Sequence, residues 1–266
     1  MEIREYTQKD IPDLSGLWIE TFGDSEEFVS AFFSMLPNMG SCVLGTEDGE
    51  LAAMASVIAG QELLIGGTPK KPEIGYIYGV AVAEKFMGRG FGAEISRAAY
   101  DLALKREAMI VAVRPDSDSL FDFYAKTLGF ETALYRERHE TQASDAEMTM
   151  KLTSTEYSMM KDGILNGKTY LHLSPYAMEF EKVLLECYGG GLYASMSGIC
   201  TAETDGDKCI IHEMISEQPE KTAASVAFAL GCSKAEYYLP SSEGEPFIMA
   251  DKGKIPADAI YNIAYE

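Results

Sequence analysis

The sequence predicts a mixed α/β fold, with a sheet of parallel and antiparallel strands in the first half and a second, smaller α/β domain after it. Three observations lead there. Short apolar segments between Met1 and Ile65 read as an antiparallel meander with two helices inserted. From Tyr76 to Val113 the order is strand, glycine-rich loop, helix, strand, which requires a parallel crossover. Helix and strand periodicities then resume beyond a polar stretch at Glu137–Ala146 that holds a domain boundary or a β-hairpin, giving expected domains of 1–142 and 150–266.

Taken in order, Met1–Tyr6 alternates as a strand. Asp10-Ile11-Pro12 then opens a helix through Leu14, Leu17, Trp18 and Phe22, with proline in its first turn, where no N–H is needed. Asp24-Ser25-Glu26-Glu27 reads as a capping box in which Asp24 accepts from the N–H near Glu27, ahead of the stripe Phe28, Val29, Phe32, Phe33 and Leu36. Strands at Cys42–Leu44 and Leu51–Ile58 flank Glu47-Asp48-Gly49, whose Asp-Gly is a hairpin turn signal, and a separate short strand is expected at Leu63–Ile65.

A helix follows at Ala93–Leu104, then a strand at Met109–Val113. A further helix carries Leu120, Phe121, Tyr124 and Leu128 on one face and stops at Gly129. The second half shows a helix near Thr155–Leu165 and another, capped by Ser174-Pro175, that runs to Cys187. Strands are expected at Gly191–Thr201 and Lys208–Ile215, a helix at Pro219–Leu230, and late strands to Tyr265. Gly189-Gly190-Gly191 reads as a helix cap and the turn into a strand.

With 266 residues, 47% of them hydrophobic, the chain can bury a sizeable core. It has 22 basic and 42 acidic residues, a formal charge of −20. Such a surface repels phosphate backbones and anionic lipid, so neither nucleic acid nor membrane is an expected partner. The same field favours a cationic substrate such as an amine, and it also serves solubility. Five cysteines form no C-x-x-C pair, the amino terminus lacks a secretion-signal pattern, and no run approaches the roughly 20 apolar residues of a membrane span. The expectation is a cytoplasmic protein. The three histidines show no ligand spacing, so no metal is expected.

Chemistry concentrates in Gly79-Val80-Ala81-Val82-Ala83-Glu84-Lys85-Phe86-Met87-Gly88-Arg89-Gly90-Phe91-Gly92-Ala93. Alternate glycines opening a helix let the backbone approach a ligand closely, and the first-turn N–H groups converge on one spot of partial positive charge that binds phosphate. A P-loop needs Lys-Ser or Lys-Thr after its last glycine, and Gly92 precedes Ala93-Glu94. Gly88-x-Gly90-x-x-Ala93 fits a bare dinucleotide pattern and keeps a nucleotide-dependent oxidoreductase as one alternative. In that fold, however, the first glycine sits at the strand end, whereas five residues separate Val82 from Gly88.

The segment resembles the pyrophosphate-binding motif of the GNAT superfamily of N-acetyltransferases: Val80-Ala81-Val82, a short spacer, Gly88-Arg89-Gly90-Phe91-Gly92 and a helix. Leu120-Phe121-Asp122-Phe123-Tyr124-Ala125-Lys126-Thr127-Leu128-Gly129-Phe130 is similar to that family's aromatic-tyrosine helix ending in Gly-Phe. The likeness covers roughly residues 1–140. It implies the GNAT acyl-CoA N-acyltransferase fold and transfer of acetyl from acetyl-CoA to a primary amine, on a small molecule or a peptide, by direct attack. The second half resembles a degenerate GNAT-like domain by element order alone, and a homo-oligomer is compatible with the arrangement.

The resemblance also assigns roles. Val80, Ala81 and Val82 bind the pantetheine arm through the main chain, with a Val82 or Ala81 N–H polarising the thioester. Met87, Gly88, Arg89, Gly90, Phe91 and Gly92 hold the diphosphate. Tyr124 donates a proton to the departing thiolate. Two departures stand out: Met87 occupies a position usually held by Arg or Gln, with Arg89 able to supply the contact, and Tyr124 precedes Gly129 by five residues where four is common, which a helix-end bulge would absorb. Phe28, Phe32, Glu73 and Tyr78 are the candidates for the acceptor side, Glu73 as a base through a water. A non-catalytic acyl-CoA-binding module is the second alternative, motivated by Met87 and by the lack of an obvious base.

Overall fold

The computed structural model describes residues 1–66, 72–260 and 265. Packing divides the chain into two units, one of Met1–Glu62, Pro72–Ala133 and Ile248–Ile255, the other of Leu63–Lys71, Leu134–Phe247 and Pro256–Glu266.

The first unit begins with β1 (Glu2–Glu5), α1 (Ile11–Phe22) and α2 (Glu26–Met39), followed by β2 (Gly40–Glu47), β3 (Glu50–Leu64) and β4 (Glu73–Val82). Then come α3 (Phe91–Lys105), β5 (Ile110–Val113) and α4 (Asp118–Leu128). The sheet order is β1-β2-β3-β4-β5, antiparallel up to β4 and parallel between β4 and β5. Met249 and Ala250 return to pair antiparallel with Val113 and Ala112. Asp251 anchors this return by accepting from the Val111 N–H at 2.8 Å and the Tyr100 hydroxyl at 2.9 Å.

Strand alternation sorts the two faces. Tyr78 of β4 packs against Trp18 of α1 and Phe32 of α2, with Tyr76 beside it on the same face, whereas Ile77 joins Ile95, Ala99, Tyr124 and Phe130 of the α3 and α4 side. Gly75 lets α3 lie close, since a Cβ there would sit 2.7 Å from that of Ala103. The Asp48-Gly49 turn has φ of 52° and 81° at these two residues, the left-handed pair that a two-residue hairpin demands.

The second unit holds β6 (Glu131–Gln142), β7 (Met150–Leu152), α5 (Ser154–Ile164), β8 (Tyr170–Leu173) and α6 (Pro175–Cys187). It continues with β9 (Gly191–Ala194), β10 (Gly198–Asp205), β11 (Lys208–Ser216), α7 (Pro219–Ala229), β12 (Lys234–Ser241) and the start of β13 (Glu245–Ala250), whose Ile248–Ala250 belong to the first unit. Its sheet runs β6-β12-β11-β10-β9-β7, with β11 and β12 parallel and the other neighbours antiparallel. A charged group lies buried in this unit: Glu213 accepts from Lys161 at 2.7 Å and from the Tyr157 hydroxyl at 2.8 Å, with all three side chains shielded from solvent.

Several expectations change. The N-cap of α2 is Ser25, whose hydroxyl accepts from the Phe28 N–H, because Asp24 is engaged elsewhere by the Trp18 indole. The segment expected as two strands up to Ile65 is one strand, β3, which absorbs a register slip between Ile58 and Gln61. Gly191–Thr201 is two strands, since Ser195 to Gly198 form a turn closed by a Ser195 N–H to Gly198 carbonyl bond of 2.8 Å. β8 has no counterpart among the expected elements.

The expected 1–142 and 150–266 division also differs, because β6 pairs with β12 from Tyr135 to Gln142 and holds that strand in the second unit. The late strands end at Ala250, and the part of that expectation over residues 261–264 lies outside the described residues. Gly189 takes φ 76° just after α6, as a helix cap requires.

Candidate active site

β4 and β5 pair only at Ile74–Tyr76 opposite Ile110–Ala112, and β4 then runs six residues further to Val82 without a β5 partner. The two strands part at their carboxyl ends, leaving one edge of β4 open. On the other edge the register slips, with Tyr78 opposite Ser56 and Ala81 opposite Met54. Gly79 and Val80 therefore face Ala55 together, as a β-bulge. The extra residue returns Val80 and Val82 to the face of Ile77, where they pack against the cluster containing Phe86, Phe91 and Tyr124.

The bulge depends on glycine. Gly79 has φ +60°, and a Cβ on it would lie 2.6 Å from Cζ3 of Trp18. Trp18 is itself fixed by its Nε1–H donating to Asp24 at 2.8 Å and by the rings of Phe28, Phe32 and Phe33.

Beyond Val82 the Ala83 N–H bonds the Ala52 carbonyl, and a short 3-10 turn over Glu84–Phe86 leads into the loop. Gly88 and Gly90 adopt φ of 75° and 85°, with open space where a side chain would be. Gly92 is already helical and has ordinary room for a methyl group. Phe86 and Phe91 bury their rings 6.1 Å apart and pin the loop at both ends. The Arg89 guanidinium lies 4.8 Å from the Phe91 ring centre and donates to Glu47 at 2.6 Å, whereas Met87 is 61% exposed.

A concavity of about 270 Å³ is lined by Val82, Met87, the three glycines and Phe123 among others. The first N–H groups of α3 have no carbonyl within the helix to bond and give this end positive character. Two left-handed glycines with open space, convergent amides and an adjacent open strand edge fit the diphosphate and arm of an acyl-CoA.

Tyr124 of α4 is 4% exposed, and burial pushes its phenol well above the ordinary range, so it stays protonated. The helix reaches Gly129 as a regular α-helix, the Gly129 N–H bonding the Ala125 carbonyl at 3.1 Å, with no bulge at its end.

Not every candidate joins this site. Glu73 begins β4 six residues before the bulge, roughly 20 Å away along the strand, so it does not reach the open edge. Phe28 and Phe32 are buried and packed around Trp18. Tyr78 is partly exposed and sits at the bulge, 5.5 Å from the Trp18 ring. Sequence reasoning named Trp18, Asp24, Glu47 and Gly79 as helix, cap, turn or motif residues but gave none of them a part in the site. A glycine inside an apolar strand was the available signal for Gly79, since it marks a bulge or a close backbone approach.

The dinucleotide reading loses its footing, because Val82 ends the strand and a 3-10 turn intervenes before Gly88. No helix among the described residues is long and apolar enough to cross a membrane.

The structure is similar in fold to a conserved protein of unknown function from Enterococcus faecalis V583, with a TM-score of 0.70, 12% identity, and 94% of this chain and 72% of that one covered. A GCN5-related N-acetyltransferase from Kribbella flavida gives 0.65 at 17% identity over 94% and 71%. One from Anabaena variabilis ATCC 29413 gives 0.61 at 14% identity over 94% and 72%. A search of curated protein sequences found no match. The family model described as the acetyltransferase (GNAT) family matches residues 6–130, the stretch that contains the open strand edge, the glycine loop and Tyr124. Over residues 6–130 this chain matches the acetyltransferase (GNAT) family of acyltransferases.

Proposed function

We propose that the protein moves an acetyl group from acetyl-CoA to a primary amine by direct attack of the amine on the thioester. The observation that supports this is the open β4 edge at Val80–Val82 leading into an unobstructed glycine loop, with Tyr124 in the same cluster. Acetyl-CoA supplies the activated thioester and a thiolate leaving group.

Main-chain groups of Val80, Ala81 and Val82 bind the extended arm as an added strand. The Val82 or Ala81 N–H stabilises charge on the thioester oxygen, an effect of about 3 kcal/mol. Amides of Gly88–Gly92 hold the diphosphate, and Arg89 supplies the positive charge that Met87 lacks. As the C–N bond forms and the C–S bond breaks, Tyr124, kept protonated by burial, donates to the leaving sulfur, and the proton shed by the attacking nitrogen passes through water to restore the phenol. Tyr78 borders the acceptor side, and the formal charge of −20 favours a cationic amine, small molecule or peptide.

The test is thiol release from acetyl-CoA across polyamines, amino acids, aminoglycosides and peptide amino termini, with coenzyme A binding followed by calorimetry. Thiol released only when an amine is present supports the proposal. Binding without release across the panel would favour a non-catalytic acyl-CoA-binding module, a reading to which the distance of Glu73 from the bulge lends weight. No heat with coenzyme A rejects both.

A further inference from the structure

Arg89 stands in the middle of the glycine loop, yet its side chain is not part of the wall of the concavity there. Met87, Gly88, Gly90 and Gly92 on either side of it line that hollow, together with Val82 and Phe123. The guanidinium lies instead 4.8 Å from the centre of the Phe91 ring and 5.5 Å from that of Phe86, and its Nη2 donates to Glu47 Oε1 at 2.6 Å.

The carboxylate that takes this bond is itself held in place. Glu47 ends β2 and lies opposite Glu50 across the Asp48-Gly49 turn, and its Oε2 accepts from the Met1 amino group at 2.9 Å. Its side chain is 21% exposed, so water screens the pair with Arg89 only in part. The neighbouring pair of the same hairpin, Lys85 with Glu50, differs in this respect, because its two side chains are 58% and 61% exposed and such pairs hold weakly.

A guanidinium bonded to a carboxylate offers an arriving diphosphate little net charge. To turn its donors into the concavity Arg89 has to leave Glu47 and the two rings, and the free energy of leaving is subtracted from that of binding. Amides and cation therefore act in sequence: the loop N–H groups are ready before the ligand comes, and the cation is released only by competition.

We propose that Glu47 is a positioning residue that sets the affinity for the acyl donor, holding Arg89 outside the concavity until the diphosphate takes the guanidinium from it. The inference rests on the acyl-CoA reading of the loop.

The test is calorimetric titration of the full chain with coenzyme A, run as a double-mutant cycle on Glu47 and Arg89. Glu47→Gln keeps the size of the side chain and removes its charge, and it should bind about fivefold more tightly than the parent, the upper end of what an ion pair between partly exposed groups is worth. In an Arg89→Ala background the same exchange should change affinity by less than about twofold, because the gain passes through the guanidinium. Glu50→Gln removes an equal charge from the same hairpin and should leave affinity within about twofold. Should Glu47→Gln melt far below the parent, Glu47→Asp decides, since it keeps the charge and draws the carboxylate back by one methylene, and its affinity should rise about twofold. Binding no tighter than the parent's, a gain that survives in Arg89→Ala, or an equal gain from Glu50→Gln would overturn the assignment. Heat from the parent with the Glu47 variants unchanged removes this inference alone, whereas no heat from the parent removes the acyl-CoA reading and this inference with it.

Discussion

Replacing Gly79 with alanine tests whether the β4 bulge is held by two independent constraints. The first is backbone conformation: at φ +60° a side chain costs about 1–2 kcal/mol. The second is steric, because the new methyl carbon would stand 2.6 Å and 2.7 Å from two carbons of the Trp18 ring, well inside contact distance. Trp18 is held by Asp24 and three phenylalanines, so relief requires backbone movement, at the about 1–3 kcal/mol typical of overpacked cores. Together these give about 2–5 kcal/mol, or a fall in melting temperature of roughly 4–20 °C for a chain of this size. Calorimetry reads the melting shift, and a double-mutant cycle with Trp18→Phe separates the two terms. The smaller ring removes the contact but not the φ penalty, so the pair should be less destabilised than the sum of the singles. Additive singles, or a Gly79→Ala protein that melts with the parent, would refute the account.

Four further outcomes follow from the geometry. Tyr124→Phe keeps the packing and removes the proton, so kcat should fall about 100-fold or more while coenzyme A affinity stays within about twofold; steady-state kinetics and calorimetry check the split. Arg89→Ala removes a charge-assisted contact of about 1.5–3 kcal/mol, so coenzyme A should bind roughly 10- to 150-fold more weakly, with less dependence on salt when titrated at two ionic strengths. Lys161→Met leaves Glu213 buried beside no cation, which should cost about 3–5 kcal/mol in urea unfolding, and adding Glu213→Leu should recover much of it. The Glu147 carboxyl is held down to about 2, chiefly by the Ser197 hydroxyl and then by desolvation-opposed contacts with Lys221 and Ser195. A lowered carboxyl stabilises the fold above its ordinary value of 4.5 and loses that contribution as pH falls toward about 2, so Glu147→Gln should melt below the parent at pH 7 and converge with it near pH 2.

Where local chemistry decides, the sequence was readable. α1, α3, α4, α6 and α7 each announce themselves by apolar spacing together with a cap, a proline start or a glycine stop, and the Asp48-Gly49 turn by a residue pair that suits two left-handed positions in succession. The glycine loop was legible for the same reason, since Gly88 and Gly90 carry their conformational demand in their own residue type. What stayed hidden depends on partners distant in the chain. Asp24 looks like a helix cap until the Trp18 indole claims it. Phe28 and Phe32 look like pocket residues until Trp18 closes over them, and β6 looks like a linker because its polar residues pair along β12. That Glu73 lies far from the bulge was hidden because the place of the bulge on β4 follows from the register with β3, which periodicity alone does not fix.

The two units show how backbone geometry and loop composition divide the work of recognition. Divergent parallel strands with a bulge on the longer one arise twice, at Gly79 of β4 and at His212 of β11, which pairs with β12 from Lys208 to Ile211, and each time the bulge brings an apolar side chain back to one face while freeing the opposite edge. That much sets where an extended ligand can lie. Under the proposed function, which ligand it is depends on the few residues that follow: Gly88-Arg89-Gly90 would offer amides and a cation to a diphosphate, while Ser216-Glu217-Gln218-Pro219 lacks one amide and adds a carboxylate. If this division is right, grafting the sequence of residues 87–92 between β11 and α7 should confer measurable coenzyme A binding on a chain whose own loop carries Gly88→Glu and Gly90→Pro. A graft that binds no coenzyme A although α7 remains folded would mean that the strand geometries, and not only the loops, differ.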